Sequence, residues 1–352
     1  MLAFVATDDH QYTFRAVLET RDHPLAGHVL LLSWGDFLSW DRLPAADYVF
    51  VDLERLPEAL LVAAAARLAA LEAVLPGLRV LNRPSPAMGR LQVMRRLHAS
   101  GTNDFRVLGA TEAEALAPGD LHFPVFVRRI DDHEGPMSAL IEDAPALQAA
   151  IAAARAAGGG ETLAVTEYVD ARNADGYHEK LSYFRIGTRL FPSALDVSRH
   201  WVCKGVVGDP DGIDDHAREQ AFLSGNPHAD LLAPAFEAAG ISYGRADYTM
   251  FDGRPQVFEI NTNPLIDCPE AMPPELQPYA QLLVGRWLEA LAAFSPPGAR
   301  PAWVRVPGAR AAGPTAGGHR LRRTVRRLLR AIGQLHQETR VMRPLRAAGI
   351  AR

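Results

Sequence analysis

Between residues 244 and 264 the chain carries polar side chains whose types and spacing could do chemistry. The segment reads Gly244-Arg245-Ala246-Asp247-Tyr248-Thr249-Met250-Phe251, turns at Asp252-Gly253, and continues Gln256-Val257-Phe258-Glu259-Ile260-Asn261-Thr262-Asn263-Pro264. Alternation at period two puts Asp247, Thr249 and Phe251 on one face of a first strand, and Glu259 and Asn261 on one face of a second. Pairing across the turn brings the two carboxylates together. Two carboxylates and a carboxamide oxygen form a hard-oxygen set. Such a set suits Mg²⁺, an ion that keeps several waters and bridges protein carboxylates to substrate phosphates. Arg245, two residues before Asp247, shares its face and is placed to bind a phosphate or an anionic intermediate. The plainer alternative is a polar hairpin edge, with a salt bridge from Arg245 to Asp247 or Glu259.

The elements that must position this hairpin are legible in outline. In the first 85 residues, apolar runs at Leu2–Ala6, 29–32, 48–51 and Val80–Leu81 surround an Ala- and Leu-rich helical stretch at 56–75 closed by Pro76-Gly77. This pattern predicts a small parallel sheet with crossover helices. No GxGxxG follows the first run, so dinucleotide binding has little support there. Residues 82–86 read as a turn or linker, and a helix is expected over 87–99. Beyond it the pattern changes. Strands are predicted at 123–130, 162–169, 181–186, 189–195, Tyr243–Phe251 and 256–260, and helices at 144–157, 216–223, Ala229–Ala239 and 278–293. Short turns at Gly187-Thr188 and Asp252-Gly253 make antiparallel hairpins, hence an α+β region.

The hairpin resembles the metal-binding end of the ATP-grasp superfamily. Its ligases carry an Arg-x-Asp strand followed by Glu-Ile-Asn-Thr and a proline, with D-alanine–D-alanine ligases and protein-extending glutamate ligases as similar patterns. The order of elements from 85 to 295 also resembles that family. The resemblance implies a pre-ATP-grasp α/β domain at 1–85, an ATP-grasp fold of two α+β subdomains at 86–295, and a third region at 296–352. It implies Mg²⁺ held by Asp247, Glu259 and Asn261, and Arg90 and Arg128 in place of two phosphate-contacting lysines. It places residues 131–137 over the phosphates. Thr166-Glu167-Tyr168-Val169-Asp170 becomes the adenine hinge, with Glu167 and Val169 pairing through their backbones and Asp170 or Glu179 holding the ribose. The chain's two lysines, Lys180 and Lys204, would steer the γ-phosphate or an acyl-phosphate, with Arg245 at the tetrahedral adduct. Either lysine also reads as a solvated strand residue, and Ser198-Arg199-His200 as either acidic-substrate recognition or a turn. The implied reaction activates a small-molecule or peptide carboxylate with ATP and joins it to an amine. A kinase and a non-catalytic nucleotide-binding scaffold are the alternatives. Arginine for lysine, and a phosphate loop with one glycine, depart from the family pattern and bear on catalysis rather than on fold.

Composition fits a folded domain protein: 352 residues, 48% apolar and 22% charged. No apolar run is long enough to span a bilayer, no basic leader precedes the first strand, and Cys203 and Cys268 cannot build a disulfide framework. A cytoplasmic, reduced setting is expected. Charge is uneven. Residues 296–352 hold thirteen arginines and a single acid, Glu338, for a net +12; this leaves −16 on the rest of a chain of net −4. A Pro/Gly/Arg-rich tether is expected from 296 to 318, then a basic helix from His319 to Arg343 with Leu321, Val325, Leu328, Ile332 and Leu335 in one stripe. Its expected partner is the acidic body, with an acidic molecule or a membrane surface as the other readings. Homo-oligomerisation stays open.

Overall fold

Leu2–Ala6 (β1) is apolar at every position because both of its faces are covered. Ala3 and Val5 enter one buried cluster, while Leu2, Phe4 and Ala6 enter another. The Phe4 ring lies 4.8 Å from Phe14, 5.8 Å from Tyr243 and 6.2 Å from Trp287 between centroids. A strand buried on both sides loses the alternation of a half-exposed one. The computed structural model describes residues 1–19, 23–117, 119–130, 135–159, 162–203, 209–272, 274, 276–298 and 301–308.

The N-terminal region continues with Tyr12–Leu18 (α1), Val29–Ser33 (β2), Trp34–Ser39 (α2), Arg42–Pro44 (β3), Asp47–Phe50 (β4), Glu58–Val74 (α3) and Val80–Leu81 (β5). Strands β2, β1, β4 and β5 stand in that order, all parallel, as expected. The short helices α1 and α2 have too few turns for a periodic signal. In α2 a reciprocal cap sets the start: Ser33 Oγ accepts from Asp36 N at 2.9 Å, and Asp36 Oδ2 accepts from Ser33 N at 3.0 Å.

The rest comprises Arg90–Ala99 (α4), Val107–Gly109 (β6), Ala110–Glu114 (α5), Val125–Arg129 (β7), Ala144–Ala154 (α6), Leu163–Glu167 (β8), His178–Ile186 (β9), Arg189–Ser198 (β10), Gly212–Ile213 (β11), His216–Gly225 (α7), Ala229–Ala239 (α8), Tyr243–Phe251 (β12), Arg254–Asn261 (β13), Gln277–Phe294 (α9) and Trp303–Arg305 (β14). All of these strands but β14 build two antiparallel sheets, β6-β8-β7 and β11-β10-β9-β12-β13. The α+β expectation holds, hairpins at 187–188 and 252–253 included. No helix among the described residues is long and apolar enough to cross a membrane.

Two joints tie these parts into one packed unit over residues 1–308. Asn82, read as linker, is buried: its Nδ2 donates to Phe50 O at 3.1 Å and Tyr243 O at 2.6 Å, and its Oδ1 accepts from Ser242 N and Tyr243 N, both at 2.9 Å. The second joint corrects the flexible tether over residues 301–308. β14 pairs antiparallel with β3, Val306 is buried, and Arg67 Nη1 donates to the carbonyls of Val306 at 2.8 Å and Pro307 at 2.7 Å. The pairing is non-local, so composition alone gave no sign of it. The expected basic helix at 319–343 lies outside the described residues.

Candidate functional site

β12 and β13 are paired so that Asp247 stands opposite Glu259 and Arg245 opposite Asn261. A regular ladder counted from Phe251↔Arg254 would put Phe258 opposite Asp247. The register shifts between Asp247 and Tyr248, leaving Phe258 as the extra residue of a β-bulge. That one residue turns Glu259 and Asn261 onto the face of Arg245, Asp247 and Thr249, and all five line a single cleft of about 550 Å³. Ser182 Oγ donates to Asp247 Oδ1 at 2.9 Å, and Asn261 Oδ1 accepts from Asn263 N at 2.8 Å, so both oxygen donors are oriented from behind. Gly244 makes the close approach possible: a Cβ there would lie 2.7 Å from the Asn261 carbonyl oxygen.

Around these oxygens stand cations. Arg90 Nη2 lies 3.0 Å and Arg128 Nη2 3.4 Å from Glu259 Oε2. Arg245 Nε donates to Asp247 Oδ1 at 3.0 Å, so the salt bridge of the plainer sequence reading is present, within a cleft rather than at an edge. Lys180 Nζ lies 3.1 Å from Asp196 Oδ2. Burial works to lower the Lys180 ammonium, but Asp196 and then Asp247 outweigh it and hold it above its ordinary value. Arg245 follows the same pattern, with Asp247 and Glu259 opposing burial. Lys180 and Arg245 thus stay charged. Lys204 and residues 131–134 of the expected phosphate loop lie outside the described residues; Gly135 and Pro136 line the cleft.

The donors fit Mg²⁺. Asp247 and Glu259 are two acids, short of the three His, Cys, Asp or Glu side chains of an all-protein cage, which no group of described residues supplies. Magnesium commonly takes one or two carboxylates and completes its octahedron with water and substrate phosphate. Asn261 Oδ1 has a second lone pair beyond the bond from Asn263.

The segment expected to be the adenine hinge forms another wall. Glu167, Tyr168, Val169 and Glu179 line the cleft, while Asp170 does not: it is exposed and bonded by Arg172 Nε at 2.8 Å. The Glu167 carboxylate is buried and serves structure. It accepts from Arg106 N at 2.8 Å, His122 N at 2.9 Å and Arg106 Nε at 3.0 Å. Burial pushes it up, yet these donors hold it below its ordinary value. Its N–H donates to Arg106 O at 3.0 Å, whereas the Val169 N–H donates to no described residue. Glu179 accepts from Arg218 Nη2 at 2.7 Å and from Asn173 Nδ2. Phe126, Tyr168 and Trp201 form an aromatic corner, with centroids 5.1 Å (Phe126–Trp201) and 5.9 Å (Tyr168–Trp201) apart. Burial and the neighbouring Asp170 push the Tyr168 hydroxyl up to about 12. Ser198 ends β10, paired with Gly212 and His178, and the chain bends at Arg199 and His200, where Ser198 Oγ accepts from His200 N at 3.1 Å.

Three N-terminal residues, Tyr12, Thr13 and Arg55, also line the cleft, and sequence reading missed them. A signal existed. Arg55 follows the carboxyl end of a parallel strand, where open α/β sheets bind ligands. Asp196, the partner of Lys180, was missed because its role depends on strand register.

No family model and no curated protein matches the chain. Solved structures do. The D-alanine–D-alanine ligase of Bacillus anthracis, complexed with ATP, is 17% identical at a TM-score of 0.48, covering 84% of this chain and 98% of that one. An ATP-grasp RimK domain protein from Sphaerobacter thermophilus is 18% identical at 0.47, covering 84% and 100%. The ATP-grasp ligase PsnB, complexed with a minimal precursor, is 15% identical at 0.45, covering 84% and 99%.

Proposed function

We propose that the chain is an ATP-dependent ligase of the ATP-grasp type that activates a carboxylate as an acyl-phosphate and joins it to an amine. The observation that carries this reading is the register of β12 and β13, which lines up Asp247 with Glu259 and Arg245 with Asn261 on the cleft wall, beside Arg90, Arg128 and Lys180. An oxygen set ringed by permanent cations fits a polyphosphate better than a neutral ligand.

Asp247, Glu259 and Asn261 would hold magnesium, whose chemistry there is neutralisation of charge on the β- and γ-phosphates. Phe126, Tyr168 and Trp201 offer the base an aromatic surface, and the Val169 N–H offers it a donor. Glu179, rather than the outward-facing Asp170, remains for the ribose. Arg90 and Arg128 neutralise phosphate oxygens as charge moves onto the leaving diphosphate. The substrate carboxylate oxygen attacks the γ-phosphorus, the bond to ADP breaks, and the resulting acyl-phosphate has a leaving group that a bare carboxylate lacks. The amine then adds to the carbonyl carbon. Arg245 stabilises the oxyanion of that adduct, the nitrogen gives up a proton, and inorganic phosphate departs carrying that proton as the amide forms. Lys180, kept protonated beside Asp196, orients the anion.

The test is ADP and phosphate release with a panel of amino acids, followed by mass spectrometry of the products. ADP with a new amide is expected, and Glu259→Gln should lower turnover by about 10²-fold or more. A phosphorylated acceptor without an amide would replace the ligase with a kinase. Nucleotide binding without turnover would leave a scaffold. Normal turnover in the variant would overturn the metal assignment.

A further inference from the structure

We propose that Arg55, held against His10 and through it by the buried Asp52, binds a carboxylate of the organic substrate, whose apolar body lies against Tyr12 and Leu265; the identity of that guest as the ligase substrate rests on the reading above.

Topology points to the place. In the order β2-β1-β4-β5, the chain leaves β1 towards β2 on one side and leaves β4 towards β5 on the other. β1 and β4 are therefore the neighbours whose connections diverge, and the crevice beyond their carboxyl ends is where open α/β sheets take ligands. The loop after β1 carries Thr7 and His10, and the loop after β4 carries Asp52 and Arg55. Arg55 opens into the same cleft as the metal hairpin.

The arginine is oriented in advance. Asp52 Oδ1 accepts from His10 Nδ1 at 3.0 Å, and Arg55 Nη1 rests against the same imidazole, 3.0 Å from Nδ1 and 3.2 Å from Nε2. Asp52 also accepts from Asn263 Nδ2 at 2.9 Å, and the Asn263 N–H holds Asn261 Oδ1. One network thus sets both Arg55 and the oxygen end of the hairpin.

Its donors differ from those of the other cleft cations. Arg90, Arg128, Arg245 and Lys180 each reach a carboxylate within 3.4 Å. The nearest carboxylate oxygen to Arg55, Glu54 Oε1, lies 3.6 Å from its Nε, a long ion pair in which both atoms are buried and neither has a hydrogen-bond partner. Its Nη2 bonds to no described residue. Arg55 lines the cleft, and its Nη2 is left to hydrogen-bond an incoming carboxylate with the help of the guanidinium charge. Tyr12 and Leu265, 62% and 45% exposed, give that carboxylate's neighbour an apolar surface.

The full chain is titrated by calorimetry with acetate, benzoate and N-benzoylglycine, with the matching amides, and separately with MgATP. The acids should bind and the amides should not, with both aromatic acids tighter than acetate. Arg55→Met should weaken the acids by about tenfold or more, Arg55→Lys by less, and MgATP by neither. Tyr12→Ala, at an exposed position, should weaken benzoate but not acetate. The proposal is overturned if acids bind no better than amides, if Arg55→Met binds them like the parent, or if it weakens MgATP instead, which would assign the arginine to the nucleotide. A parent that binds the acids through Arg55 but takes no MgATP would sink the ligase reading and leave the anion site standing.

Discussion

Asp52 shows how much one buried side chain can organise. It sits at a φ of 64° and accepts from Thr7 N at 2.8 Å, Thr7 Oγ1 at 2.9 Å, His10 Nδ1 at 3.0 Å and Asn263 Nδ2 at 2.9 Å. Burial alone would raise its carboxyl, but the bonds from His10, Thr7 and Asn263 prevail and hold it below its ordinary value. The unfolded chain therefore binds the proton more readily. Stabilisation from Asp52 is full above the unfolded carboxyl value of ~4 and is lost as pH falls through the lower folded value. Asp52→Asn keeps the shape and tolerates the left-handed backbone, yet its amide nitrogen faces donors. We expect it to lose about 1–3 kcal/mol at neutral pH. The difference from the parent should narrow on acidification below pH ~4, read by urea unfolding at several pH values. An equal difference at every pH would show that charge plays no part.

At the scale of elements, the hairpin depends on a bulge and on a missing side chain. Gly244 lets β12 and β13 meet closely, since a methyl there would stand 2.7 Å from Asn261 O. That neighbour is backbone and cannot rotate aside. Gly244→Ala should therefore lower stability by about 1–3 kcal/mol and, by moving Asn261, weaken magnesium-dependent nucleotide binding. Unfolding and MgATP calorimetry read the two effects, and a variant matching the parent in both would remove the close approach from the argument. The same hairpin marks what sequence could convey. Tyr243–Phe251 and Ala229–Ala239 were legible to the residue, because a two-residue turn and a left-handed Gly240 bound them locally. That Asp247 and Glu259 come together was legible too. The means was not: strict alternation through the turn puts Phe258 opposite Asp247, and a bulge leaves no mark in a single sequence. Nor did the outward turn of Asp170, which depends on Arg172.

In the molecule as a whole, the parts hidden from sequence are those joined over long distances. The position of Arg55 past a parallel strand is local, but the network that reaches it from Asn263 through Asp52 and His10 is not, since Asn263 and Asp52 stand 211 residues apart. Residues 301–308 read as tether because Pro, Gly and Arg carry no pairing signal, and their partner strand β3 lies some 260 residues earlier. Arg67 is the lock. It is 3% exposed, and besides the Val306 and Pro307 carbonyls it donates to Phe37 O at 3.3 Å and to Trp40 O. Burial lowers its guanidinium from the ordinary value, with Tyr48 and Asp41 opposing, which marks how much of its solvation those carbonyls replace. A chain ending at 300 would leave that guanidinium buried without two of its acceptors and would expose the surface under Val306. Hydrogen bonds to a charged group contribute about 1.5–3 kcal/mol, and burial of a valine about 1.5–3 kcal/mol. Compared with a chain ending at 308, the chain ending at 300 should therefore melt about 4 °C lower or more. Arg67→Met in the chain ending at 308 should also lower the melting temperature, and should open residues 301–308 to limited proteolysis. Equal melting temperatures for the two truncations would mean that the strand rests on the body without supporting it.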